Sequence, residues 1–314
     1  MVALAFAVFL SGWGNPGGCR PPQCQTQVVK AVAQLNSENE ERLREAMEQL
    51  LNLVNCSNIQ LAIHPLEEIL NDPSHEYATR RLAAEVLLAI GQALGLPQGQ
   101  RAFDAVLNAS LARLLDESAD IDEIRDAIVF LKNMAGIPDV LESVEPLKLI
   151  LNNPYRFDSF TRTLTAAALV DIAREQGLPA GEPALDAVTS ALVGDRMDTL
   201  RAGAASALIA YRQPLPSVLA ALEYAYMTDP SPLVQTSAYR ALTILTNGAY
   251  ETFGLPAASF SLSTTSSRAS RSISSMPTCL SNELYRWVQE HMIIMDPSIK
   301  LEDYKCNPGD EVPQ

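Results

Sequence analysis

The sequence predicts an all-α protein, an α-solenoid in which about six helical hairpins form a right-handed superhelix with a C-terminal capping helix. Three observations predict this fold. Alanine and leucine, which both favour helix, occupy 83 of the 314 positions. Apolar residues recur at helical spacing through most of the chain, and a unit of about 38 residues is repeated along it. Because aromatic residues make up only 6% of the chain, a β-sandwich is disfavoured.

The repeat is clearest where residues 95–106 recur as residues 177–188. Eight of these twelve positions are identical at an offset of 82 residues, and a looser copy begins at Gly136. One equivalent leucine marks each of six copies: Leu50, Leu87, Leu131, Leu169, Leu208 and Leu242. Successive leucines are 34 to 44 residues apart, which favours one array of similar units over two unrelated domains.

Each copy contains two stretches with helical periodicity. The first helices are predicted over residues 27–36, 59–71, 102–116, 139–152, 183–194 and 215–228. The second helices are predicted over residues 40–54, 77–93, 121–135, 159–176, 198–212 and 232–247. Glycines that follow second helices, at Gly95, Gly136 and Gly177, fit a left-handed C-terminal cap. Prolines within the copies, such as Pro73 and Pro154, end one helix before the next begins.

This layout of helix, Asx-Pro turn and helix, with an arginine early in the second helix and an Ala/Leu run after it, resembles HEAT-type repeats. It is also similar to the looser HEAT-like repeats of phycobilisome lyases. The resemblance covers roughly residues 25–250. It implies a ladder in which aspartates at the turns and arginines of the second helices tie neighbouring copies together. The expected members are Asp72, Arg80, Asp122, Arg125, Asp158, Arg162, Asp198, Arg201, Asp229 and Arg240. The alternative is that the arginine row binds an anionic partner.

The chain is predicted to divide into four parts. These are a signal-like leader with a short linker (1–23), the HEAT-like array (24–250), a Ser-rich loop (251–278) and a C-terminal capping helix with a tail (279–314). Nine of the 17 residues from Ser259 to Ser275 are serine, which predicts a flexible linker. A phosphorylation site at its Arg-x-x-Ser-like spacing is the alternative.

The leader opens with an unbroken apolar run from Met1 to Leu10. Ten helical residues span about 15 Å of a bilayer core of about 30 Å, so the run is too short for a transmembrane anchor. It predicts the core of a secretory signal, and hence an exported protein, periplasmic or extracellular. A buried N-terminal helix and a lipoprotein signal are alternatives, although Trp13 stands where a lipidated cysteine would follow Leu10-Ser11-Gly12. No transmembrane segment is predicted in the remainder.

The capping helix is predicted over residues 282–295, where apolar residues recur on one helical face. That face carries Leu284, Trp287, Val288, His291 and Met295. It predicts a degenerate seventh unit that covers the end of the array.

Four of the five cysteines are predicted to form two disulfides that act as staples. Cys24 and Cys56 flank the first helical hairpin, and Cys279 and Cys306 flank the C-terminal helix, so each pair is expected at one open end. The predicted bridges are therefore Cys24–Cys56 and Cys279–Cys306, each contributing about 2–4 kcal/mol to stability. Cys19 is left over, and the competing pairing is Cys19–Cys24 with Cys56 reduced.

The sequence offers no pattern for chemistry. It contains no nucleophile elbow, phosphate loop, dinucleotide fingerprint or zinc-type Cys/His spacing, so no catalytic residue, cofactor or metal site is predicted. The three histidines, His64, His75 and His291, are interpreted as solvated or helix-packed. Acidic pairs such as Glu40-Glu41 are interpreted as solvated helix faces. A net charge of −14 argues against a nucleic-acid partner.

The functional hypothesis is a non-enzymatic, exported scaffold that binds a protein or peptide through the solenoid surface. Exposed positions of the second helices, which line the concave face in HEAT-like arrays, are the expected contact surface. One alternative is an enzyme or enzyme accessory of the chromophore-lyase type. The other is a structural component of a cell-envelope assembly, in which the contacts are permanent.

Overall fold

A computed structural model describes residues 21–252, residue 280 and residues 282–291. Twelve helices form six consecutive pairs in this part of the chain. They are α1 (Pro21–Gln34), α2 (Glu40–Asn52), α3 (Ile63–Asn71), α4 (Tyr77–Leu94), α5 (Gln100–Leu115), α6 (Ile121–Asn133), α7 (Val144–Leu151), α8 (Ser159–Gln176), α9 (Glu182–Gly194), α10 (Asp198–Leu208), α11 (Pro216–Thr228) and α12 (Pro232–Leu245). Two further helices are α13 (Ala249–Thr252) and α14 (Asn282–His291). The described residues form no strand, and this order confirms the all-α solenoid and its HEAT-like layout.

The chain forms two compact units, Met1–Val106 and Leu107–Gln314, with the boundary inside α5. In the first unit, the second helices α2 and α4 pack on each other, and α3 packs on α4. In the second unit, α6 packs on α8, α8 on α10, and α10 on α12. The second helices therefore stack in succession within each unit, which is the arrangement expected of a helical repeat.

The core consists of the residues that define the repeat. All six leucines that mark the copies, from Leu50 to Leu242, have no exposed surface. Burying one such side chain stabilises the fold by about 1.5–3 kcal/mol. Small residues let the helices approach closely, since a Cβ at Gly203 of α10 would overlap the side chain of Thr163 in α8. The Ala/Leu composition is therefore explained by close packing between copies.

Two first helices differ from their predicted form. The segments predicted as single α-helices over 59–71 and 139–152 begin with 3₁₀ turns at Ile59–Ala62 and Pro138–Ser143. Each α-helical part then carries a proline at its third position, Pro65 in α3 and Pro146 in α7. Because proline has no N–H and its ring clashes with the carbonyl four residues earlier, it is tolerated only in the first helical turn. The α-helix therefore begins two residues before each proline.

The start of α1 is also earlier than predicted. The helix begins at Pro21, whereas the sequence analysis placed its start at residue 27 and assigned residues 21–23 to the leader. Prolines in a first helical turn cost no backbone hydrogen bond, so Pro21 and Pro22 fit a helix start. Cys24 therefore lies within α1 and not before it.

The glycine caps adopt a conformation other than the predicted left-handed helical one. Gly95 has φ 63° and ψ 177°, and Gly177 has φ 66° and ψ 179°. This extended region with positive φ is essentially restricted to glycine. Gly136 does not adopt a positive φ, so the prediction of a left-handed cap there is wrong.

The repeated turn that begins Gly-Leu-Pro also contains a second glycine, Gly99 or Gly181, and a close backbone contact requires glycine there. A Cβ at Gly99 would overlap the backbone oxygen of Gly91, and a Cβ at Gly181 would overlap the backbone of Ala173. In both turns the chain folds back onto the preceding second helix, with Gly99 N–H donating to Gly95 and Gly181 N–H donating to the Gly177 carbonyl at 2.7 Å. Only glycine leaves room for this approach.

At the C-terminus, α14 covers the first ten of the residues predicted for the capping helix. Leu284 and Val288 of the predicted apolar face are fully buried. Residues 1–20 of the leader, the Ser-rich linker from Ser259 to Ser275 and Met295 lie outside the described residues.

Candidate functional site

Arginines of the second helices bind carboxylates at the turn of the following copy. In α6, Arg125 Nη2 lies 2.8 Å from Asp158 Oδ2, and Arg125 Nε donates to Thr161 Oγ1 at 3.0 Å. In α10, Arg201 donates to both carboxylate oxygens of Asp229 at 2.6 and 2.9 Å. These pairs join successive copies of the second unit.

Arg162 of α8 makes the equivalent contact with a residue that the sequence analysis missed. Its guanidinium pairs with Asp195, and its Nε donates to the carbonyl of Leu151 at 2.7 Å. Asp198 instead accepts a hydrogen bond from Ser231 at 3.0 Å. Two of the three pairs share a spacing of 33 residues, Arg125–Asp158 and Arg162–Asp195, whereas Arg201 and Asp229 are 28 residues apart.

The structure places the remaining predicted members of the ladder in other contacts. Asp122 bonds to Arg125 of its own helix at 2.7 Å, and Asp72 accepts from the Ser74 N–H at 2.8 Å. The Arg80 guanidinium lies 5.9 Å from the centre of the Tyr77 ring. Arg240 is exposed at the end of the array.

The central ladder is buried and charged. Arg162 has no exposed surface, and Arg201 is 8% exposed. Hydrogen bonds from Thr161, together with the charge of Arg125, lower the pKa of Asp158 below its usual value. Hydrogen bonding to Asp229 raises the pKa of Arg201. The buried guanidinium groups of Arg162 and Arg201 are therefore bound within the protein and are not available to an anionic partner.

The turns at which α8, α10 and α12 begin also carry exposed apolar side chains, which we call the turn-edge row. It consists of Tyr155, Phe160, Met197 and Leu233, which are 92%, 62%, 37% and 51% exposed. Tyr155 precedes α8, and the other three lie at the starts of α8, α10 and α12. The row thus presents at least one apolar side chain in each of three consecutive copies.

Arginines of the ladder support the turn-edge row. The Arg125 guanidinium lies 5.1 Å from the centre of the Phe160 ring, within the range of a cation–π contact. Arg162 Nη1 lies 3.6 Å from the sulfur of Met197. The row is therefore held on ordered side chains, which limits the entropy that binding must remove.

A separate acidic cleft of about 470 Å³ lies in the first unit. Its charged or titratable lining residues are Glu38, Glu40, Glu68, Asp72 and His75, and its remaining lining residues are Leu35, Asn36, Ser37, Pro65, Ile69 and Ser74. No lysine or arginine lines it. This cleft gives the first unit an anionic surface at the turn between α3 and α4.

Glu40 in this cleft is not the solvated residue that the sequence suggested. Its carboxylate accepts a hydrogen bond from the Thr79 hydroxyl and lies 2.9 Å from Nδ1 of His75. Burial acts to raise the pKa of Glu40, but the hydrogen bonds from Thr79 and His75 outweigh it, so the pKa is lowered. Hydrogen bonds from Ser74 likewise lower the pKa of Asp72. Both carboxylates are therefore ionised at neutral pH.

Cys24 and Cys56 form a disulfide whose Cα atoms are 5.9 Å apart. The bond joins α1 to the segment after α2, at the open end of the first hairpin. The competing Cys19–Cys24 pairing requires a thiol that this bond uses. Cys19, Cys279 and Cys306 lie outside the described residues.

Within residues 21–252 and α14, no group of three or more His, Cys, Asp or Glu side chains is placed to hold a metal ion. No helix of these ranges is long and apolar enough to cross a membrane.

The sequence matches no known protein-family model and no characterised protein. Among solved structures, a designed armadillo repeat protein is 23% identical, with 69% of this chain and 99% of that chain aligned and a TM-score of 0.46. Another, in complex with the peptide (KR)4, is 21% identical over 69% of this chain and 99% of its own, with a TM-score of 0.48. Human deoxyhypusine hydroxylase in complex with glycerol is 20% identical over 72% of this chain and 89% of its own, with a TM-score of 0.36.

Proposed function

We propose that this chain is a non-enzymatic scaffold that binds a protein or peptide partner through the surface of its repeat array. The turn-edge row carries this proposal. Scattered apolar residues are common on protein surfaces, but aligned ones that extend over several structural units are typical of interaction sites. Tyr155 and Phe160, at the α8 end of this row, belong to the aromatic class that is enriched in interfaces.

The ladder supports the same function. A binding surface gains affinity when its side chains are ordered before the partner arrives. Phe160 and Met197 contact arginines that are themselves held by carboxylates of the next copy. The turn edge of the second unit therefore combines exposed apolar area with a rigid support.

We further propose that the protein works outside the reducing cytoplasm. The Cys24–Cys56 disulfide supports this location, because structural disulfides form and persist mainly in oxidising compartments. The apolar run from Met1 to Leu10 is the second support, since it has the length and composition of a secretory signal core.

A site-specific crosslinking experiment tests the binding function. A photoreactive amino acid is placed at Phe160 in the full chain, and the exported fraction of the producing cells is irradiated. We expect one dominant adduct, which disappears when Leu233→Ser is added. The matched control carries the crosslinker at Leu61, which is 52% exposed in the first unit. The same adducts from both positions, or none from Phe160, would contradict the proposal.

A further inference from the structure

We propose that Met197 is a modification site: a peroxide oxidises its thioether to a sulfoxide that Arg162 holds in place, and this change weakens partner binding at the turn-edge row. This inference rests on the proposed binding function and names its regulation. Three features of Met197 support it, namely its exposure, its contact with a fixed guanidinium group and its position in the row.

Met197 is accessible to an oxidant in solution. It is 37% exposed, whereas Met47 and Met134 lie in the core and are 0% and 2% exposed. Oxidation of methionine begins at a sulfur lone pair, so a surface methionine reacts before a buried one. Met227 is also 37% exposed, but it lies near the end of α11, a first helix, and is not part of the row. It therefore serves as the comparison for Met197.

The guanidinium group beside Met197 is fixed by other contacts. Arg162 has no exposed surface, its Nε donates to the Leu151 carbonyl at 2.7 Å, and its Nη2 pairs with Asp195. Its Nη1 lies 3.4 Å from Asp195 Oδ1 and 3.6 Å from the sulfur of Met197. The first distance is long for a charge-assisted hydrogen bond, and a thioether sulfur is a weak acceptor. Arg162 Nη1 is thus a buried donor whose acceptors are poor.

Oxidation of Met197 supplies a better acceptor to this donor. A lone pair of the sulfur attacks one oxygen of hydrogen peroxide, so that an S–O bond forms and the O–O bond breaks. The second oxygen leaves as hydroxide and takes the proton of the transferred oxygen, which gives water. The sulfur is oxidised and the peroxide is reduced. The sulfoxide oxygen then accepts a charge-assisted hydrogen bond from Arg162 Nη1, in place of the weak contact with sulfur.

The same step makes the turn-edge row polar in the middle. Met197 lies at the start of α10, between Phe160 at the start of α8 and Leu233 at the start of α12. A sulfoxide is polar, and one that is bound to the buried Arg162 cannot turn away from the row. A partner with apolar groups on the row would have to desolvate it, which costs binding free energy. Methionine sulfoxide reductases restore the thioether, so the change is reversible.

Capture of the partner by oxidised protein tests the regulation. Purified full-length protein with the photoreactive amino acid at Phe160 is treated with hydrogen peroxide, freed of peroxide and added to an untreated exported fraction before irradiation. The tryptic peptide Met197–Arg201 reports the extent of oxidation by mass spectrometry. We expect capture to fall at least about fivefold and to return after treatment with methionine sulfoxide reductases of both stereospecificities.

Two variants assign the effect to one methionine. Met197→Leu cannot be oxidised at this position, so peroxide should change its capture by less than about twofold relative to its own untreated sample. Met227→Leu is the matched control and should lose capture on oxidation as the wild type does. The regulation is wrong if Met197→Leu loses as much capture as the wild type. It is also wrong if the wild type keeps its capture when the Met197–Arg201 peptide is fully oxidised.

Thermal denaturation tests the role of Arg162 without removing this buried side chain. Met197→Gln provides an amide oxygen in place of the sulfoxide oxygen, and Met197→Leu provides no acceptor. We expect the Gln variant to melt at least about 2 °C above the Leu variant, because its oxygen accepts from Arg162 Nη1. At Met227 the Gln variant should melt no higher than the Leu variant. The same order at both positions would show that Arg162 does not hold the acceptor.

The capture experiment also separates this inference from the binding function. If untreated protein captures one dominant partner and full oxidation of Met197 leaves that capture unchanged, the regulation is wrong and the binding function stands. If untreated protein captures no partner, both are wrong.

Discussion

Arg201 donates two hydrogen bonds to Asp229 of the following copy, and both side chains are less than one tenth exposed. The contact is bidentate, the geometry in which a guanidinium binds a carboxylate most strongly. Asp229 also accepts the Ser231 N–H at 2.8 Å, so one carboxylate joins the arginine of one copy to the turn of the next.

Asp229→Ala is expected to lower the free energy of unfolding by about 3–5 kcal/mol, because it leaves the Arg201 guanidinium buried and without its counter-charge. Urea denaturation followed by circular dichroism measures this loss. The matched control is Asp122→Ala, which removes a carboxylate that is 77% exposed from its contact with Arg125. Its cost should stay below about 1 kcal/mol, as for other surface ion pairs. Equal losses in the two variants would show that the Arg201 pair is no stronger than a surface pair.

Gly99→Ala and Gly181→Ala should each destabilise the protein by at least about 2 kcal/mol, because the new Cβ overlaps backbone atoms that cannot rotate away. Gly136→Ala is the matched control, since a Cβ there meets no atom within 4 Å and Gly136 does not have a positive φ. Its effect should lie within about 0.5 kcal/mol. Thermal denaturation of the three variants decides between these expectations. A loss at Gly136 as large as the other two would mean that the close approach is not the cause.

The double variant Cys24→Ser/Cys56→Ser is expected to lose about 3–4 kcal/mol of stability, since the disulfide closes a loop with a sequence separation of 32 residues. The loss is measured by urea unfolding of the variant and of the oxidised wild type. Non-reducing peptide mapping of the wild type should recover Cys24 and Cys56 in one linked fragment.

Cys19→Ser provides the control for this bridge, because it should leave both the linked fragment and the stability unchanged. A fragment that links Cys19 to Cys24 would contradict the pairing seen in the structure.

Tyr250 should make the protein sensitive to alkali. Burial, together with the negative charge of Glu223, raises the pKa of the Tyr250 hydroxyl, whereas a tyrosine in the unfolded chain titrates near pH ~10. The folded state therefore keeps this proton when the unfolded state has released it. The resulting stability is fully present below pH ~10 and is lost above it, by about 1.4 kcal/mol per pH unit.

Tyr250→Phe should reduce the loss of stability between pH 10 and 11, which is measured from urea denaturation curves at each pH. Burial also raises the pKa of Tyr211, so part of the sensitivity should remain. Tyr155→Phe is the matched control, because the Tyr155 side chain is 92% exposed and should leave the pH profile unchanged. An identical profile for Tyr250→Phe and the wild type would exclude Tyr250 as the source.

The order and approximate bounds of the helices were predictable from the sequence, because helical period, Asx-Pro turns and a repeated leucine each depend on local residue types. The 3₁₀ starts before Pro65 and Pro146 also follow from a local rule, because proline is tolerated only in the first turn of an α-helix. The spacing of apolar residues alone does not reveal them. The Arg162–Asp195 pair could not be predicted without knowing how neighbouring copies pack on each other. Asp195 and Asp198 both lie in the segment at the start of α10, and only the packed turns select between the two carboxylates.

The turn-edge row was harder to predict than the ladder. The sequence analysis expected contacts on the exposed faces of the second helices, whereas Phe160, Met197 and Leu233 lie at the starts of those helices. Their apolar character is visible in the sequence, but exposure is a property of the packed array. A residue such as Phe160 would be assigned to a core by its type alone.

In each ladder pair the arginine is synthesised before the carboxylate that binds it. Arg162 is synthesised 33 residues before its partner Asp195, and the same spacing holds for Arg125 and Asp158. At a synthesis rate of about 5–20 residues per second, the chain between such an arginine and its carboxylate takes a few seconds to make. A chain cut short at its C-terminal end keeps an arginine without its acceptor, whereas a chain shortened from its N-terminal end keeps only an acceptor at a turn. Truncation from the two ends therefore leaves different unpaired groups, a guanidinium at a C-terminal cut and a carboxylate at an N-terminal cut.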